Sequence, residues 1–157
     1  MIRFIAALDN KNGIADEHGI PWQGLLPGDV SYFRRHTLNT DLLMGYGAYR
    51  ELAKPLPNRR NYIATVRHKN LRPGFERIDN VRSFLARAHK DIWVGGGADI
   101  FANTIDLADE LYLTRIDKDF NCTKFFPPFE QHFTCVNQSS DRTENGVTYH
   151  FEVWQRR

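Results

Sequence analysis

The chain has 157 residues, 41% of them apolar and 25% charged, with a formal charge of +2. That length suits one domain over residues 1–157 around one core, and the even scatter of aromatics suits a globular rather than a disordered protein. With so little charge and no Lys/Arg run, a nucleic-acid arm or membrane patch is excluded, and two cysteines (Cys122 and Cys135) are too few for a disulfide scaffold.

No segment approaches the roughly eighteen continuous apolar residues of a membrane span, and Phe4 to Leu8 is too short for a signal peptide. Reduced thiols and a cytoplasmic location are the expectation. His18, His36, His68, His89, His132 and His150 include no close pair at metal-ligand spacing, so no metal site is expected. With no exposed apolar stripe evident, the default is a monomer.

In chain order, Ile2 to Leu8 is an apolar run without alternation, which suits a strand buried on both faces. Asp9 to Gly28 is long and broken by Gly13, Gly19, Pro21, Gly24, Pro27 and Gly28; a loop of that length in a small domain is usually functional. A helix follows from Asp29 to about Thr37. Leu42 to Met44 is a short strand ending at Gly45-Tyr46-Gly47, with a helix running on to Leu52. Lys54-Pro55-Leu56-Pro57-Asn58-Arg59 is a rigid turn into a strand from Tyr62 to Val66.

Phe75 to Ile78 reads as a strand and Val81 to Ala88 as a helix with apolar spacing. Ile92 to Val94 is a buried strand entering Gly95-Gly96-Gly97, followed by a helix from Ala98 to Ile105. Strands from Glu110 to Ile116, His132 to about Gln138 and Val147 to Gln155 complete the chain, with Asn145-Gly146 as a hairpin turn between the last two. The alternation of strand and helix implies right-handed parallel crossovers. The expected fold is α/β: a mixed, mostly parallel sheet of about eight strands, four flanking helices and a C-terminal antiparallel hairpin.

Five places carry chemistry. Asp29 stands where a Pro- and Trp-containing loop becomes a helix, four residues from Phe33, so a carboxylate and a ring share one helical face. Among Trp22, Leu25, Leu26 and Phe33 that acid is partly desolvated and should hold its proton or seek a specific partner; taken alone, an ordinary surface N-cap is the commoner outcome. The glycine triplet before Ala98, Asp99 and Ile100 lets a backbone approach a ligand, beside the unpaired N–H groups of a helix start. A tight turn needing glycine for packing alone is as good a reading, and the spacing is not a Rossmann fingerprint. Met44-Gly45-Tyr46-Gly47-Ala48 is a second such junction; two at the carboxyl ends of parallel strands favour an extended ligand with several phosphates. Arg59 follows a double-proline turn that would fix its guanidinium for a carboxylate, although Arg60 is as basic. Thr114 is a hydroxyl on an apolar strand, either satisfying local backbone or relaying to a buried acid such as Asp29.

In order and spacing these features closely resemble dihydrofolate reductase, from Ile5-Ala6-Ala7 through the Gly13-Ile14 loop, Pro21-Trp22, Leu26-Pro27 before Asp29, Phe33, Met44-Gly45, Pro55-Leu56-Pro57 with Arg59, the glycine triplet, Leu111-Tyr112-Leu113-Thr114 and Phe126-Pro127. The resemblance implies hydride transfer from NADPH to dihydrofolate, a small-molecule substrate. It implies that Asp29 binds the pterin and promotes protonation of N5, that Thr114 supports that acid, and that Trp22 helps order a nearby water. Ile5, Ala6, Phe33 and Leu52 would line the substrate site and Arg59 would hold the glutamate-tail carboxylate. The cofactor would meet Ala7, Ile14 and Ile20; Gly45, Gly47 and Ala48; Thr65, Val66 and Arg67; and Gly96, Gly97, Ala98, Asp99, Ile100 and Phe101. Gly13 to Gly24 resembles the family's mobile lid.

The chain departs from the family pattern in several places. The stretch from Trp22 to Asp29 has extra residues, and Ala15 replaces a usual glycine in the lid. Tyr46 and Ala48 stand where an Arg and a Thr or Ser are common, which removes a charge and a hydroxyl from the phosphate site. Val66 is apolar, so Arg67 is expected to meet the extra phosphate of NADPH, and Gly95 stands where Ile or Val is usual. Two other readings compete: a riboflavin-pathway reductase of the same fold, which needs a phosphate grip and no Asp29–Thr114 pair, and a pterin or nucleotide carrier without catalysis.

Overall fold

A computed structural model describes residues Met1–Arg157. The chain begins with strand β1 (Ile2–Leu8), a short β2 (Gly13–Ala15), helix α1 (Pro27–Thr37), β3 (Asp41–Gly45), α2 (Tyr46–Arg50) and β4 (Arg60–Ala64). It continues with β5 (Phe75–Ile78), α3 (Val81–Ala86), β6 (Ile92–Val94) and α4 (Ala98–Thr104), which passes into a 3-10 turn (Ile105–Leu107). Strands β7 (Glu110–Ile116), β8 (Lys124–Phe125), β9 (Phe133–Gln138), β10 (Arg142–Glu144) and β11 (Val147–Arg156) complete it.

The main sheet runs β10-β11-β7-β1-β6-β3-β4-β5, and β9 also pairs with β11. It therefore has eight positions but nine strands, because β9 and β10 bond different stretches of the ten-residue β11. All pairings from β7 to β5 are parallel, and those of β11 are antiparallel. The Asn145-Gly146 turn, with φ of 51° and 76°, closes β10 onto β11 and not β9 onto β11 as the sequence implied. Positive φ at both central residues gives the twist a two-residue hairpin needs. A second, two-stranded sheet joins β2 to β8; both segments were too short to announce themselves in the sequence. The strand expected to reach Val66 ends at Ala64, since the chain bends at Val66 and Arg67.

Alternation along the strands assigns side chains to two faces. Phe4 and Leu8 of β1, Leu43 of β3, Val94 of β6, and Leu111 and Leu113 of β7 pack with Leu85 of α3 and Phe101 of α4. Ile5, Leu42, Met44, Trp93 and Ile116 point the other way, onto Tyr32 of α1 and Tyr49 of α2. Thr114 has the same parity as Tyr112 and Ile116, so it is delivered to the α1 face. That is what positions the site.

Candidate active site

Helix α1 starts at Pro27, which suits a first turn because its missing N–H would be unpaired there anyway. The cap residue is Leu26, with no side-chain capping bond. Asp29 is therefore the third helical residue and not a surface N-cap. Its carboxylate turns to the sheet, where Thr114 Oγ1 donates to Asp29 Oδ1 at 2.6 Å. Thr114 is 2% exposed and lies in register between Ala7 of β1 and Phe151 of β11. Burial pushes the Asp29 carboxyl above the usual carboxylate range; the Thr114 bond opposes this, and the negative charge of Glu144 adds to it. Such a group can accept hydrogen bonds as a carboxylate or hold a proton in an apolar site.

Around Asp29, Ile5 and Ala7 of β1 lie on the α1 face, Phe33 is one turn further along α1, and Leu52 packs into the same apolar cluster. Ala6 points to the opposite face, so only its backbone can serve this pocket. Gly95 is beside Phe33: a Cβ there would lie 3.5 Å from the ring, an ordinary contact, so the missing side chain leaves room at the pocket wall. Arg59 approaches the far end of α1. Its Nη1 donates to Thr37 Oγ1 at 2.7 Å and its Nε to the Pro57 carbonyl at 2.9 Å, and it has no carboxylate partner. Burial and the nearby positive Arg34 lower its proton affinity. Arg34 is a second cation at that end, and the sequence reading passed over it; its three-residue spacing from Thr37 was the available signal.

The two glycine junctions are adjacent because β3 and β6 pair. Gly45 N–H donates to the Gly96 carbonyl at 2.8 Å, and Gly95 N–H to the Leu43 carbonyl at 2.9 Å. A Cβ on Gly45 would lie 3.2 Å from Ile100 Cδ1 and 3.3 Å from the Gly97 nitrogen, whereas one on Gly47 or Gly97 would meet nothing within 4 Å. Gly96 has φ of 107°, a conformation that favours glycine. The backbone is thus close-packed on the sheet side and open on the other. Ala98 is half-buried and Asp99 exposed at the start of α4, while Phe101 is core, against Phe4 and Phe126. Phe101 stands behind Gly96 rather than beside open space.

Near this cleft Tyr46 stacks on His68 with ring centroids 3.7 Å apart. Ala48 packs inward from the same helix. Thr65 Oγ1 accepts from His68 N–H, Val66 is 69% exposed, and Arg67 is exposed beside them. Arg77 holds this turn by donating to the carbonyls of Thr65 and Val66 at 3.1 and 2.9 Å. The sequence reading missed Arg77; an Arg alternating out of β5 looks like ordinary surface.

The long loop after β1 is pinned at its start. Asp9, 1% exposed, accepts N–H bonds from Lys11, Gly13 and Phe120 at 3.0, 2.8 and 3.1 Å. Thr123 donates to Glu17 at 2.8 Å, and buried Trp22 meets Phe120 edge-on at 5.2 Å. Ile14 packs into the core, but Ile20 is 49% exposed. Asp9, Glu17 and Trp22 thus anchor the loop, and exposed Ile20 lies between the last two.

Comparison with known proteins gives a consistent result. The family model for dihydrofolate reductase matches residues 1–156. A dihydrofolate reductase of Bacillus subtilis is 27% identical over 162 aligned residues, covering 100% of this chain and 95% of the relative. A type 3 dihydrofolate reductase of Salmonella typhimurium is 33% identical over 132, covering 82% and 80%. Among solved structures, a dihydrofolate reductase from Enterococcus faecalis in complex with NADP(H) and RAB-propyl superimposes with a TM-score of 0.88 at 26% identity. It covers 99% of this chain and 96% of that one.

Proposed function

Because this chain belongs to the dihydrofolate reductase family, its reaction is the NADPH-dependent reduction of dihydrofolate, and we propose that Asp29 binds the pterin and promotes protonation at N5. The observation that carries this is the 2.6 Å Thr114–Asp29 bond in a largely apolar pocket. A carboxylate there accepts two charge-assisted hydrogen bonds from the pterin amino and ring N–H groups and favours the protonated heterocycle. Thr114 takes up one lone pair of one carboxylate oxygen, leaving both oxygens able to accept from the substrate. Trp22, buried beside Phe120, closes that end against bulk solvent and is the residue to order a water there. Ile5, Phe33 and Leu52 hold the flat ring and the benzoyl group by apolar contact. Arg59, preset by Thr37 and lacking an acid partner, takes the tail carboxylate, with Arg34 adding positive charge.

NADPH, when bound, supplies the hydride. The glycine cradle fits such a group: a backbone closed on the sheet side and open at Gly47 and Gly97 suits an extended dinucleotide. Gly45, Gly47, Ala48, Gly96, Gly97, Ala98, Asp99 and Ile100 would line it, with Ala7, Ile14 and Ile20 toward the pterin, and Phe101 supporting the turn from behind. Thr65, Val66 and Arg67 would meet the extra phosphate, with His68 and Arg77 beside them. What the protein contributes is positioning and exclusion of water. We take the working unit to be one cytoplasmic chain; no helix of the structure is long and apolar enough to cross a membrane. The test is loss of NADPH absorbance on mixing the protein with NADPH and dihydrofolate. Steady turnover supports the reading; binding of both without turnover would favour a carrier and overturn it.

A further inference from the structure

The hydroxyl of Tyr149, near the start of β11, donates to Glu144 Oε1 at 2.5 Å although the residue is fully buried. The same Glu144 carboxylate, at the end of β10, accepts the Gly28 N–H with both oxygens, at 3.1 and 3.2 Å. Asn145, the next residue, donates from its side chain to the Leu25 carbonyl at 2.7 Å. The C-terminal hairpin thus grips the first turn of α1 from 116 residues away. It provides the cap that Leu26 lacks, since an early helical N–H without an internal partner is satisfied by a carboxylate. Gly28 is needed for this approach: a Cβ there would collide with the Tyr149 hydroxyl and lie 3.1 Å from Glu144.

We propose that Glu144 is a positioning residue for the reduction, clamping the first turn of α1 and laying a second negative charge behind Asp29. This rests on the catalytic role given to Asp29 above.

Asp29 belongs to the first turn of α1 and Glu144 bonds that turn from β10, but the two acids have separate partners. Thr114 serves the first, and Gly28 with Tyr149 serves the second. Neither acid forms an ion pair. The titratable groups facing Asp29 are Glu144 from β10, Tyr149 from β11 and Tyr32 from α1 itself; the cations Arg142 and Arg35 act on those two phenols. Both tyrosines are pushed up to about 12, by burial first, and remain neutral. Glu144 is thus the charge among them that opposes ionisation of Asp29, because like charges disfavour each other's ionised form. An acid that must favour a protonated substrate at neutral pH gains from such a neighbour.

Carboxyl-labelled aspartate allows the Asp29 signal, identified by its loss in Asp29→Asn, to be titrated in the full-length protein without any ligand. Glu144→Gln keeps the shape and an acceptor for Gly28 but removes the charge, and should move the Asp29 midpoint to lower pH. The alkaline limb of kcat/KM should follow in the same direction. Tyr149→Phe loosens the clamp while leaving the charge, and should leave the midpoint where it is. An unmoved midpoint in Glu144→Gln, or equal movement in both variants, overturns the proposal. Neither result depends on turnover, so failure of the reductase reading would appear separately, as absence of NADPH oxidation.

Discussion

Replacing Thr114 with valine deletes one hydroxyl and keeps the branched shape. Its neighbours in the sheet, Ala7 and Phe151, are held by backbone register that the change does not touch. The lost interaction is a 2.6 Å bond from a 2%-exposed donor to an ionisable acceptor. Bonds to charged groups contribute about 1.5–3 kcal/mol, and at about 1.4 kcal/mol per tenfold this gives a fall of roughly 10- to 150-fold in kcat/KM. The bond favours the ionised carboxylate against burial, so its removal must raise the Asp29 proton affinity further. The alkaline limb of the pH profile, where the proton is lost, should therefore move to higher pH. Steady-state kinetics with NADPH and dihydrofolate across the pH range, with a melting curve to verify folding, measures both effects. A folded Thr114→Val protein with less than about a twofold loss and an unmoved limb would refute the role given to this pair.

Arg59→Ala should raise KM for dihydrofolate by roughly 10- to 100-fold, as expected for a lost charged contact of about 1.5–3 kcal/mol, with kcat nearly unchanged. A dihydropterin lacking the glutamate tail should show no difference between Arg59→Ala and the parent protein. Arg67→Ala should lower the ratio of catalytic efficiency with NADPH to that with NADH; an unchanged ratio removes Arg67 from the phosphate site. Gly28→Ala drives a methyl group into Tyr149, an overpacking worth about 1–3 kcal/mol. For 157 residues the melting entropy is about 0.33 kcal/mol/K, so calorimetry should show a fall of roughly 3–9 °C. The raised proton affinity of Asp29 also has a stability consequence. The folded state keeps this proton to higher pH than the unfolded chain, so stability falls as pH rises from the ordinary carboxylate range through the folded value. Asp29→Asn should flatten that decline in denaturant titrations, and an unchanged slope would contradict the assignment.

What could be read from the sequence was what short-range chemistry dictates. The apolar run of β1, the glycine-rich ends of β3 and β6, and the Asn145-Gly146 turn each carry their cause within a few residues. Strand parity then brings Thr114 to Asp29, although β7 and α1 are far apart in the chain. The same parity separates Ala6 from Ile5, a difference that the resemblance did not reveal. What stayed hidden depends on long-range meeting. Glu144 and Tyr149 look like ordinary edge-strand residues until the hairpin folds back on α1. Asp9 reads as a loop-start acid and is instead buried among three N–H donors. Arg34 and Arg77 resemble solvated surface because their neighbours come from other elements. The short β2, β8 and β10 are too brief for periodicity to register.

The central claim is that the carboxylic acid at position 29 governs delivery of the proton that accompanies hydride transfer, and the pH dependence of Asp29→Asn turnover tests it most directly. The variant should bind NADPH as the parent does, lose most of its dihydrofolate reduction at neutral pH, and recover as the pH is lowered and solution acid protonates the substrate. Turnover equal to that of the parent protein at neutral pH would contradict the account.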